Sequence, residues 1–147
     1  MADASLDEPR GQKPLELILA RNLITSLSTP AFLVDPAGGL LFYNEAAGAL
    51  LGMSFEEAGQ MTADKWIGTF GPIDDDGRPI PVEEQPLTAP LRAGRPSHTR
   101  VRIRSTKGDE HEIEASGLPI VGSDPGSSGA ILIFWPVDEV TGRGRNA

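Results

Sequence analysis

The chain has 147 residues, 21 acidic side chains against 13 Lys and Arg, and no cysteine. That length suits one domain with a real buried core, and a formal charge of −8 argues against the clustered basic residues that nucleic acid or an anionic membrane would require. The missing cysteines exclude disulfides, thiolate metal sites, iron–sulfur clusters and thiol nucleophiles.

Residues 1–14 carry Asp3, Asp7, Glu8, Arg10 and Pro14 without an apolar run, so they read as a polar tail and not as a signal peptide. No stretch approaches the length of a membrane span, and a cytoplasmic location is expected. An amphipathic helix is expected over 15–28. Leu19, Leu23 and Leu27 share one side, with Ala20 and Ile24 beside them. Leu15 and Ile18 fall off that stripe, so the helix is apolar over more than one face. Pro30 is expected to stop it.

Two strands follow, 31–35 and 40–43, joined by Asp35-Pro36-Ala37-Gly38-Gly39 as a hairpin. Asn44 is placed to cap a helix over 45–51 that Gly52 ends. Ser54 and Glu57 form a capping box for another short helix. Residues 62–81 read as less regular, with Trp66, Ile67 and Phe70 as apolar anchors. Asp74-Asp75-Asp76-Gly77 lacks the alternating acids and distant Glu of a calcium loop, so it reads as a solvated turn and no metal ligand set is assigned. Pro79, Pro81, Pro86 and Pro90 allow only short helical turns up to Gly94.

The second half carries the clearest strand signal. Thr99, Val101 and Ile103 alternate with Arg100, Arg102 and Arg104, and His111, Ile113 and Ala115 alternate with Glu110, Glu112 and Glu114. One register sets Arg104 opposite Glu110, Arg102 opposite Glu112 and Arg100 opposite Glu114, with the apolar side chains together on the other face. A Gly/Ser-rich loop, 122–129, leads to a last strand over 130–137. Ile131 to Trp135 is apolar without alternation, so both its faces need cover, from the N-terminal helix or from a partner chain.

This order of elements resembles the PAS domain family over residues 15–141. The resemblance rests on Ala31-Phe32-Leu33-Val34-Asp35, the Gly turn, Leu40 to Tyr43, Asn44-Glu45-Ala46-Ala47 and Leu51-Gly52. Gly77-Arg78-Pro79-Ile80-Pro81, Pro86-Leu87 and Leu91 to Gly94 resemble the middle segment of one large subgroup. Pro90 departs from that subgroup, which continues a helix there. The closing motif is distorted to Asp138-Glu139-Val140-Thr141, and 142–147 reads as a C-terminal tail. The resemblance implies an α+β fold with a five-stranded antiparallel sheet, short helices on one face and the N-terminal helix. It also implies a sensory module in signal transduction. No effector segment is read in this sequence, so the module acts on a signalling partner in trans or belongs to a longer protein.

What such a module would sense depends on its residues. A cysteine-linked flavin or chromophore is excluded. Haem needs an axial ligand, most often His, and the helical segment before the third strand has none. His98 is expected at a strand start facing water and His111 on the inner face, so haem is not expected. A cone-shaped α+β isomerase would need a buried carboxylate or His–Asp pair in an apolar cavity, and no nucleophile, base and orienter constellation is legible. Two readings stay open. Leu51, Trp66, Phe70, Leu87, Leu91, Val101, Ile103, His111 and Ile113 either line a pocket for a small apolar ligand or fill that space themselves. In the second case the chain is a ligand-free dimerisation or docking module. Leu15, Ile18 and Leu19 are the candidate contacts of a homodimer. The purified protein is expected to show no absorption band above the protein region; a band that co-elutes on gel filtration at one equivalent per chain would contradict this.

Overall fold

The computed structural model describes residues 15–81, 84–121 and 129–137. The tails, the 138–141 motif and nearly all of the 122–129 loop lie outside these. The chain order is α1 (Leu15–Thr25), β1 (Ala31–Val34), β2 (Leu40–Tyr43), α2 (Glu45–Leu51), α3 (Phe55–Ala58), α4 (Ala63–Phe70), α5 (Thr88–Ala93), β3 (Ser97–Arg104), β4 (Glu110–Pro119) and β5 (Ala130–Pro136). The strands form one antiparallel sheet in the order β2-β1-β5-β4-β3, which is the expected five-stranded α+β architecture.

Each sheet face supports a separate core. The inner face buries Phe32, Val34, Val101, Ile103, Ile113, Ala115, Leu132 and Phe134 under α2, α4 and the 86–91 segment. The outer face buries Ala31 and Leu33 under Leu17, Ala20 and Ile24 of α1. This corrects the expected docking stripe. The face of α1 that meets the sheet is Leu17–Ala20–Ile24, and Leu19 and Leu23 point away from it with Leu15 and Ile18. The leucine count favoured the wrong side because Ala20, small enough for close approach, carries the contact. The helix covers β1 and β2; on β5, Ile131 and Ile133 are only partly buried and Trp135 is 38 % exposed. Cover of both faces of the last strand is therefore incomplete. Arg21 adds a cation–π contact over the Phe42 ring at 4.2 Å.

α1 also ends earlier than expected, at Thr25 instead of residue 28. Ser26 and Leu27 donate to the carbonyls of Leu23 and Ile24 at 3.1 Å, a tightened i to i−3 turn. The carbonyls that follow turn to the side chain of Asn44. Its Nδ2 donates to Ile24 O and Thr29 O at 2.9 Å and to Leu27 O at 3.4 Å. Its Oδ1 accepts from Ala47 N at 3.0 Å, the expected N-cap of α2, and from Ala31 N at 3.1 Å. The residue is 2 % exposed. One carboxamide thus ends α1, starts β1 and starts α2.

Other local expectations hold. Asp35 Oδ1 accepts from Ala37 N and Gly39 N at 2.9 and 2.8 Å, which closes the first hairpin. Gly52 ends α2 at φ 81°, a conformation that favours glycine. Ser54 and Glu57 make the reciprocal capping box of α3. The segment 62–81 is more regular than expected, because α4 occupies 63–70. Trp66 and Phe70 at i and i+4 bury its inner side, a period that two turns were too short to make plain. Pro90 sits in the first turn of α5, where a missing N–H costs nothing.

β3 and β4 pair in the expected register, Arg100 with Glu114, Arg102 with Glu112 and Arg104 with Glu110. Both strands run further than expected, to Ser97 and to Pro119. Several ion pairs cross diagonally. Arg100 reaches both Glu114 and Glu112, at 3.2 and 3.8 Å, while Arg102 turns to Glu110 at 3.9 Å and to Asp75 at 3.5 Å. Asp74 Oδ1 accepts from Asp76 N and Arg78 N at 2.9 Å, so its carboxylate is used inside its own turn.

Asn44→Ala removes one hydrogen-bond partner from each of two amides and three carbonyls at once. A loss of about 2–4 kcal/mol is expected from a cap and a buried hydrogen-bond network. Urea unfolding measures it, and a loss below about 1 kcal/mol would contradict the assigned role.

Candidate functional site

Between the inner sheet face and the helices lies a cavity of about 30 Å³ with an almost wholly apolar lining. Leu51 at the end of α2, Trp66 and Phe70 of α4, and Leu87 before α5 meet Val101, Ile103 and Ile113 of the sheet around it. Leu91 and His111 lie outside this lining. Leu91 packs on the edge of the core and faces a surface hollow, and His111 is half-buried opposite Ile103. Phe32, Ala115, Leu132 and Phe134 complete the wall. Phe32, Leu132 and Phe134 were missed because the first and last strands are apolar on both faces, so alternation does not mark their inner sides.

Aromatic packing explains the small space. Phe32 stacks on Tyr43 at 5.4 Å and meets Trp66 and Phe134 edge to face at 5.4 and 5.3 Å. The indole is fixed by a bond from Trp66 Nε1 to Gly38 O at 2.8 Å. Tyr43 donates to Met53 O at 2.6 Å. Burial, with the nearby carboxylates of Glu57 and Glu56, pushes its phenol up to about 12. On the far side of the cavity, Gly117 lets the 86–90 segment lie directly on the sheet. A Cβ there would stand 2.6 Å from Pro86 O and 2.8 Å from Pro90 Cγ.

A second polar constellation lies on the outer face. His98 Nδ1 is 2.8 Å from Ser116 Oγ, and His98 Nε2 is 2.8 Å from Glu114 Oε1. The His98 ring lies 5.9 Å from that of Trp135. The imidazole bond, then the Arg100 bond, holds the Glu114 carboxyl below the usual carboxylate range. Sequence reading found no nucleophile, base and orienter set, yet this one follows from the register: if Arg100 faces Glu114, His98 faces Ser116. It brings together the three side-chain types of a hydrolytic triad. β4 is paired on both sides, so its backbone N–H groups are committed to β3 and β5. The group is a half-exposed polar network across β3 and β4 on the outer sheet face. Among the described residues no cluster of three or more His, Asp or Glu could hold a metal ion, and no helix is long and apolar enough to cross a membrane.

A five-stranded antiparallel sheet with short helices on one face and a helix on the other is an α+β fold. Comparison with solved structures makes it a PAS-fold domain. The PAS domain of a Colwellia psychrerythraea protein matches with a TM-score of 0.61 at 18 % identity, over 83 % of this chain and 98 % of that one. A PAS domain from a two-component sensor histidine kinase matches with a TM-score of 0.56 at 20 % identity, over 84 and 97 % of the two chains. A variant of RsLOV matches with a TM-score of 0.68 at 13 % identity, over 90 and 70 %. No protein-family model and no curated protein matches the chain.

Two measurements check this packing. Gly117→Ala is expected to cost about 1–3 kcal/mol by overpacking against Pro86 and Pro90, read from thermal or urea unfolding; an unchanged stability would contradict the close approach. Tyr43 is the single tyrosine. Its folded pKa is raised from 10.0 to about 12, so the stability tied to its neutral form is complete below pH 10 and is lost as pH rises through 12. Absorbance at the tyrosinate band (roughly 295 nm for any phenolate, a solution property of the group and not of this fold) is expected to stay flat through pH 10 while the chain is folded. A midpoint near 10 in the folded protein would contradict its burial.

Proposed function

We propose that this chain is a sensory or regulatory module of signal transduction without catalytic activity, acting through protein contacts made by α1 in a homodimer or with a signalling partner in trans. The observation that carries this reading is the second apolar face of α1. Leu17, Ala20 and Ile24 are spent on the chain's own sheet, while Leu15, Ile18, Leu19 and Leu23 are 65, 46, 57 and 58 % exposed. Four large apolar side chains on one short helix leave a patch that a partner would cover. A twofold contact of α1 with the same helix of a second copy is the self-complementary arrangement that would do so. The likeness to a PAS domain of a sensor histidine kinase is consistent with a signalling role.

The core favours signalling without a large bound cofactor, since about 30 Å³ is far below the roughly 300–1,000 Å³ of ordinary ligand pockets. A second reading, a small apolar ligand in the core, is favoured by the dry character of that lining and by the thin wall between it and a larger hollow outside. In either case Asn44 links the core to α1, because α2 runs from that residue to Leu51 on the cavity wall.

Sedimentation of the wild-type chain and of Leu15→Glu/Ile18→Glu tests the assembly. A wild-type dimer that becomes a folded monomer on those changes is expected. A folded wild-type monomer at high micromolar concentration would overturn the homodimer.

A further inference from the structure

Two hollows lie back to back in this fold. One is the core cavity of about 30 Å³; the other is a surface hollow of about 290 Å³ between the Pro36–Gly38 turn, α4 and α5. Trp66, Gln85 and Leu87 line both. The wall between them is therefore one side chain thick.

The three wall residues are not held alike. Trp66 is tied to Gly38 O at 2.8 Å and its ring is set edge-on against Phe32. Gln85 is tied through Nε2 to Ile80 O at 2.9 Å. The Leu87 side chain has no polar group to tie. It stands at the N-cap of a helix of only six residues that has no side-chain capping bond. It is buried, with cavity on its inner side and hollow on its outer side. A rotamer change that carries its methyls outward keeps them among Ile67 and Leu91, which line the hollow, so little apolar contact is lost. The same change enlarges the core by the volume of the departing side chain.

We infer that Leu87 is a swinging wall and that the space it joins is a binding site for a small uncharged apolar molecule of about the size of benzene. This rests on the second reading above, a ligand in the core. The chemical class follows from the lining. The core side has no ionisable group, and the charged residues Asp64 and Arg92 are exposed at the outer hollow. A charged ligand would be left unpaired inside, at a cost an apolar one does not meet. Joined, the two spaces reach the lower end of ordinary ligand pockets, roughly 300 Å³.

Benzene is the probe, and methyl NMR of the full chain is the readout. In the wild type, saturable shifts are expected at the core methyls of Leu51, Val101, Ile113 and Leu132 as well as at Leu87 and Leu91. Ala63→Phe fills the outer hollow and removes the room into which Leu87 turns, so it is expected to weaken the core shifts at least tenfold. Leu87→Ala, or Leu87→Val if the first does not fold, removes the wall and serves as the control that the assay detects core binding. Core shifts of equal affinity in wild type and in folded Ala63→Phe would overturn the swinging wall while leaving a core ligand in place. Core shifts in the Leu87 variant with none in the wild type would show that the wall does not yield and would also overturn it. No core shifts in either would end the core-ligand reading itself.

Discussion

A carboxamide with 2 % of its surface exposed persists only if both its ends are bonded, and that requirement decides how three elements meet at Asn44. Its Nδ2 faces a carbonyl in the last turn of α1 and one in the segment that follows, and its Oδ1 faces amides at the starts of β1 and α2. The amides of Ala31 and Ala47 would otherwise be orphans in the interior at the start of an element. The helix on the outer sheet face and the first helix on the inner face are therefore fixed to the same side chain, which passes between the layers at the end of β2. The two cores share no helix, so this polar contact, and the sheet itself, are what join them.

That arrangement shapes what the domain can transmit. α2 begins at Asn44 and ends at Leu51 on the cavity wall, and Leu51 O is in turn held by Thr106 N at 2.8 Å in the β3–β4 turn. A short helix tied at both ends moves as a unit. The hydrogen bonds of α2 thus run from Leu51 on the cavity wall to Asn44, which bonds the C-terminal end of α1. The exposed leucines of α1 lie on the same helix, on the side away from its own sheet. The fold thus places a packed core, a stiff link and an uncovered helix face in series.

Much of this was legible in the residues, for physical reasons that differ by element. The β3–β4 register was readable because three Arg–Glu pairs and an apolar face agree on one alignment, and a slip of one residue would reverse every side chain. The first hairpin and the caps of α2 and α3 were readable because Asp35, Asn44 and Ser54 act on amides two to four residues away. α4 was hidden because two turns hold too few apolar positions to establish a period. The docking face of α1 was misread because tight packing selected Ala20 where a count of leucines pointed elsewhere. Of the nine expected wall residues, seven surround the cavity: Val101, Ile103 and Ile113 on strands whose inner side the alternation marked, and Leu51, Trp66, Phe70 and Leu87 as large apolar side chains in or beside the short helices. Leu91 and His111 fall outside because helix phase in one case and position along the strand in the other are set by tertiary contacts. The long-range half of Asn44's bonding, 13 to 20 residues back along the chain, has no local signature at all.

The most direct test of the account is native-state hydrogen exchange at the amides of Ala31 and Ala47, the two donors to Asn44 Oδ1. If the buried carboxamide joins the two cores, both amides exchange only by global unfolding, with the same free energy as the slowest amides of β4 and β5. Exchange of these two through a low-energy local opening, while the central strands stay protected, would show that the helices are attached independently and would contradict the account.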